Sequence, residues 1–146
     1  MEPATVKNGA LAFIAAVGSC IANWLGGWDA ALIVLISLMV IDFITGLAVA
    51  FVFKKSPKTA NGGASSDASF KGILKKIVIL ILVGMAAMLD DVLQANYVRN
   101  LAIIFYIGSE GLSVIENTAL MGVPYPSFIK AALEAMKDKG DKGEPK

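Results

Sequence analysis

The sequence predicts an all-α integral membrane protein: three to four membrane helices followed by a short C-terminal amphipathic helix. Three observations carry that prediction. Of 146 residues, 56% are apolar and only 17% are charged, against about 25% charged in an ordinary soluble domain. The mean hydropathy is +0.68. The apolar residues gather into four runs separated by Gly, Pro and charged residues. Hydrophobicity of this order excludes disorder over most of the chain, and the length suits one domain. We assign residues 1–136 to a membrane domain and 137–146 to a charged tail disordered in solvent.

The first membrane segment is placed at about residues 8–27, because no charge falls between Lys7 and Asp29 and such a stretch is long enough to cross a bilayer. Ala12, Ala16, Ser19, Asn23 and Gly26 recur at three- and four-residue spacing and share a face suited to close helix packing. A cleaved signal peptide is disfavoured, since apolar sequence runs on past Cys20 through Ile21, Trp24 and Leu25. Gly26-Gly27 marks a turn, with Trp24 and Trp28 suited to the headgroup level.

The second segment is placed at 30–53. Its one charge, Asp42, lies near the middle and shares a polar, small face with Thr45 and Gly46. An acid at that depth costs about 2.5–3.5 kcal/mol on insertion scales and is a functional candidate by default; a purely structural hydrogen-bonded role competes with that reading. Pro57 and the Gly-, Ser- and Ala-rich stretch 61–69 predict a flexible loop. Lys54, Lys55, Lys58, Lys71, Lys75 and Lys76 surround it and mark the cytoplasmic side by the positive-inside rule.

The third segment is placed at 73–93. Its strictly apolar part, Ile77 to Leu89, is short for a span, so a re-entrant or interfacial helix competes with a crossing. Asp90-Asp91 follows and reads as a helix-end cap rather than a metal site. The fourth segment, 100–119, is amphipathic: Arg99, Tyr106, Glu110, Ser113 and Asn117 fall within a band about 60° wide, with Ala102, Phe105, Leu112 and Ile115 opposite. Glu116 adds a further charge. Such a band either packs inside a bundle, lies at the interface, or lines water after assembly. Gly122 to Pro126 turns the chain, and Ser127 starts an amphipathic helix over 127–136 expected to lie on the membrane surface.

With four crossings the N-terminus, the Lys loop and the tail share the cytoplasmic side, and Arg99 is the one cation on the wrong side. No catalytic, cofactor-binding or metal-binding constellation is present. There is no His and one Cys, so Ser and Cys triads and CxxC sites are excluded. No P-loop or dinucleotide fingerprint occurs. A net charge of +1 gives no field for nucleic acid.

Several motifs nevertheless match a known pattern. Asp42-Phe43-Ile44-Thr45-Gly46 resembles the Asp-x-x-Thr-Gly signature of the phage holin family that includes toxin-secretion holins (holin superfamily IV type). Gly72-Ile73-Leu74-Lys75-Lys76 resembles its Gly-Ile-x-Lys-Lys segment. The stretch from Tyr106 through Glu110, Ser113, Glu116 and Asn117, followed by Gly122-Val123-Pro124-Tyr125-Pro126, is similar to its longest motif. Gly108-Ser109 and Val114 depart from it in detail. The resemblance covers about Trp28 to Leu133. It implies a multi-pass protein of the bacterial cytoplasmic membrane that forms homo-oligomers in the lipid bilayer and permeabilises it, releasing an endolysin or a toxin, with no cofactor. A non-lytic channel, transporter subunit or scaffold is the competing reading.

Overall fold

The computed structural model describes residues 3–143. Five α-helices follow one another: α1 (Pro3–Trp24), α2 (Ala30–Ala48), α3 (Ser66–Leu93), α4 (Val98–Leu120) and α5 (Ser127–Lys142). No strand occurs among the described residues. α2 continues into a π-helical turn, Val49–Phe53, so the apolar helix runs unbroken over 24 residues. Lys54, left-handed at φ 50°, ends it. Four helices, α1 to α4 with the π turn included in α2, are long and apolar enough to cross a membrane.

α4 is the hub. α2 and α3 pack on one side of it and α5 on the other. Leu32, Leu35 and Met39 of α2 meet Ile79 and Val83 of α3 and Ile103 and Ile107 of α4, with Leu25 closing the end. α1 is almost bare. Ala22 and Leu25 beyond it are buried, whereas Ala12, Ala16, Ser19 and Asn23 stay exposed; of the expected small-residue face, Gly26 alone is closely packed among the described residues, against Arg99 and Ala87. Trp24, expected at the headgroup level, lies against α3, where a Cβ on Gly84 would collide with its ring.

Three features differ from expectation. α3 begins at Ser66, not at about residue 73, because Ser65 caps it by accepting from the Ala68 amide at 3.4 Å and Asp67 sits in its first turn. The resulting helix is a single rod of 28 residues, not a short re-entrant piece. The loop before it is built rather than free. Ser56 is buried, its amide donates to the Gly62 carbonyl at 2.9 Å, and the Thr59 hydroxyl donates to the Gly63 carbonyl at 2.8 Å. Finally, α5 does not stop at Met136 but continues through Lys142, so most of the segment expected to be a disordered tail is helical. Nor is α5 free to lie flat: it folds back along α4. Residues 144–146 of that tail lie outside the described residues.

Candidate functional site

Near the middle of the bundle the apolar core gives way to a polar network. Asp42 and Glu110 each lie twelve residues into α2 and α4, about 18 Å along each helix axis. Lys76 of α3 reaches both. Its Nζ donates to Asp42 Oδ2 at 2.8 Å and also to Glu110 Oε2. The Glu110 side chain is 1% exposed. Asn117, two turns further along α4, donates through Nδ2 to Asp42 Oδ1 at 3.0 Å, to the Asp42 carbonyl at 3.2 Å and to Thr45 Oγ1 at 3.0 Å. Thr45 is free to accept because its own proton goes to the Ile41 carbonyl at 2.8 Å. Gly46 lies beside the Asn117 amide, where a Cβ would stand at 3.7 Å, an ordinary contact. No buried side-chain nitrogen or oxygen among the described residues lacks a partner.

The sequence-predicted residues therefore divide. Asp42, Thr45, Gly46, Glu110 and Asn117 converge. Tyr106 does not join them; it packs against the apolar core, with its ring edge-on to Phe105 at 5.1 Å between centroids. Ser113 and Glu116 line a cavity of about 500 Å³ that also reaches Asp42, Lys76 and Asn117. The cavity continues past Lys75 and Gly72 to Ser56, Lys58 and Thr59 of the loop. Part of the α4 band thus faces a polar recess, while Glu110 is sealed by Lys76.

Lys76 requires a correction. Five of the six loop lysines, Lys54, Lys55, Lys58, Lys71 and Lys75, are exposed, and Lys71 pairs only with Asp67 at 2.8 Å. Lys76 instead turns inward, with a side chain 14% exposed. Its spacing carried the signal: Lys76, Ile79, Val83 and Ala86 recur at three and four residues and form one stripe, which is the buried side of α3.

A second polar cluster holds the opposite end of the bundle. Arg99 is 7% exposed. Its Nε donates to the Leu25 carbonyl at 2.5 Å, one terminal nitrogen to the Gly27 carbonyl at 3.0 Å, and the other to Asp29 Oδ2 at 2.5 Å. Asp29 Oδ1 meanwhile caps α2 through the Leu32 amide at 2.8 Å. Gly26, at φ 85°, is required twice over, because a Cβ would also sit 2.6 Å from Arg99 Nε. Asp90 accepts from the amides of Tyr97, Val98 and Arg99 at 2.9–3.1 Å. It is a cap, as expected, but for the start of α4 rather than the end of its own helix. Donation from Arg99 holds the Asp29 carboxyl below its ordinary value, helped by the Leu32 amide and opposed by partial burial.

These features define a multi-pass helical membrane protein whose polar residues tie helices together. The chain belongs to the bacteriophage holin family, whose model matches residues 19–138. That is a family of membrane-permeabilising, non-enzymatic proteins. Among its relatives are an uncharacterized protein of Clostridium perfringens, 34% identical over 122 residues (82% of this chain, 84% of the relative). Another is from Listeria monocytogenes, 34% identical over 142 residues (97% and 93%). A third is from Bacillus subtilis, 31% identical over 133 residues (90% and 92%). No solved structure matches the chain significantly.

Proposed function

We propose that this protein is a holin that self-associates in the bacterial cytoplasmic membrane and opens it, so that an endolysin or a toxin can leave the cell. The family match over residues 19–138 carries the proposal. Helix α1 supports it physically: it is apolar, charge-free from Gly9 onward and almost unpacked within its own chain, so it is available to other copies. In the proposed orientation the N-terminus and the Lys loop face the cytoplasm, whereas α5, running back along α4 until Gly140 meets Leu101 and Phe105, carries the C-terminal end, expected in the cytoplasm from sequence, toward the opposite side. Asp42, Thr45, Gly46, Glu110 and Asn117, with Lys76, hold the subunit together, while Ser113 and Glu116 line the recess beside them and Tyr106 packs on the apolar core.

Controlled expression in a bacterium, with membrane potential and culture density followed together, tests the proposal. A holin gives a silent delay and then an abrupt, complete collapse. An unchanged potential at normal protein level refutes it. The cavity that reaches Asp42 and Lys76 favours a second reading, a non-lytic channel, which gives a graded leak from the start. For orientation, a Cys at Ser66 in a Cys20→Ala background is expected to resist an impermeant thiol reagent before collapse, and a Cys at Ala95 to react. Early labelling at Ser66 refutes the orientation.

A further inference from the structure

α5 stands where its composition does not belong. A Cβ on Gly111 would meet Leu133 Cδ2 at 2.5 Å, one on Gly108 would meet the Leu133 carbonyl and the Lys137 amide at 2.6 Å, and one on Gly140 would meet the Phe105 amide at 2.6 Å and the Leu101 carbonyl at 2.7 Å. These pairs run antiparallel. They carry α5 back along α4 almost to its first turn. The two backbones touch at a distance that only glycine permits, as in close helix pairs in lipid. α4 is one of the four helices suited to cross the membrane, so α5 stands at membrane depth beside it.

The outward face of α5 is charged. Lys130, Glu134, Asp138, Asp141 and Lys142 are all exposed and lie within a band about 120° wide that runs from the flank of the α4 contact to the side opposite it, where exposed Phe128, Ala131 and Ala135 also lie. Five charges of both signs along one band of a helix are strongly unfavourable against hydrocarbon and require water or protein. Among the described residues of the band, only Lys130 and Glu134 approach one another, at 3.8 Å. No other described part of this chain covers the band.

We infer that α5 lines the aqueous opening: it stays docked on α4 through the glycine seam and turns its charged band to water enclosed by several copies of the chain. This rests on the holin reading and adds which surface faces the water. It also accounts for glycines on both helices, which a helix lying loose on the membrane surface would not need.

The test locks α5 in place. In a Cys20→Ala background, Gly111→Cys with Leu133→Cys removes the Leu133 carbons that would clash and leaves two thiols placed for a disulfide. The purified full chain is reconstituted in phosphatidylethanolamine and phosphatidylglycerol vesicles holding a trapped dye. The expected result is efficient cross-linking and dye release by the oxidised chain within twofold of the reduced chain. Poor cross-linking overturns the inference, as does an oxidised chain that is silent until reductant is added. If the Cys20→Ala chain itself releases no dye, the holin reading fails and the inference falls with it; the two failures are therefore distinct. As a second variant, Glu134→Leu, Asp138→Leu and Asp141→Leu together, in the same cysteine pair, are expected to keep the cross-linking yield and to lose at least tenfold in release. Unchanged release overturns the proposal.

Discussion

The bundle holds two buried cations, and they are solved differently. Lys76 lies near mid-bundle, far from either end, and is met by two carboxylates from two other helices. Arg99 lies at the end of the bundle and is met by one carboxylate and two backbone carbonyls of a single turn. A compact ammonium with three rotatable donors suits convergence from several helices, whereas a planar fork suits a turn that offers acceptors in one plane. The Lys76 network therefore sets the register of three helices, and the Arg99 cluster fixes one connection. The difference predicts how each breaks.

The largest effect is expected at Lys76. Lys76→Met leaves Asp42 and Glu110 facing each other without a counter-charge. Breaking a buried pair by removing one partner costs about 3–5 kcal/mol. In reversible unfolding from mixed micelles this variant should be the least stable of those discussed here, and adding Asp42→Asn and Glu110→Gln should restore a substantial part of the loss. A Lys76→Met protein as stable as the parent would mean that Lys76 reaches water in the bilayer and the network is not its normal state.

Arg99→Lys comes next. Lysine cannot reach the Leu25 carbonyl, the Gly27 carbonyl and Asp29 with one rigid group. A loss of roughly 1.5–3 kcal/mol, the value of a hydrogen bond to a charged group, is expected in the same assay. It should appear together with increased protease access at Gly26-Gly27, and no change in cross-linking between α4 and α5. A variant indistinguishable from the parent would reduce Arg99 to a topological marker.

Much of this arrangement was legible, and the failures have physical causes. The span over 30–53 was readable because its length and greasiness leave no alternative. Asp42, Thr45, Gly46, Glu110 and Asn117 were found because polar residues within apolar runs stand out one at a time. Lys76 was misread because it closes a run of basic residues, and counting charges near a span does not say which way each side chain turns. The start of α3 was missed because Ser, Ala and Asp after glycines read locally as loop, although Ser65 and Asp67 are also cap and first-turn residues. The length of α5 was not legible from local composition at all. Gly140 and its charged neighbours argue against a helix until α4 supplies Leu101 and Phe105 to pack on.

A smaller effect separates the two acids bound by Lys76. Asp42→Asn keeps an acceptor for the Asn117 amide and leaves Lys76 balanced by Glu110 alone. Asp42→Leu removes that acceptor and crowds the polar cluster with a branched apolar group. The expected costs are under about 1 kcal/mol for Asn and about 1–3 kcal/mol for Leu, with a matching order in the timing of membrane collapse at equal protein level. Equal timing for both would show that the network acts through charge alone.

The smallest expected effect is a pH dependence confined to the Arg99 cluster. Asp29 lies in the turn between α1 and α2, outside the membrane-spanning segments, and Arg99 holds its carboxyl below the ordinary value of 3.8. A depressed carboxylate contributes stability that is fully present above its unfolded value and is lost as pH falls through the lower folded value. The cluster should therefore be unaffected from neutral pH down to about 4 and weaken only below that. The side chain is 44% exposed, so the gain is screened and the step should be shallow. Trp28 adjoins Asp29 in sequence and Trp24 packs on Gly84 nearby, which makes tryptophan emission the natural readout. The parent should show a small change with its midpoint below 3.8, and Asp29→Asn should lack it while retaining any change from other acids. A parent midpoint above the ordinary carboxylate value, or a step that persists in Asp29→Asn, would mean that Arg99 does not stabilise the Asp29 carboxylate and that its two backbone carbonyls alone hold the turn.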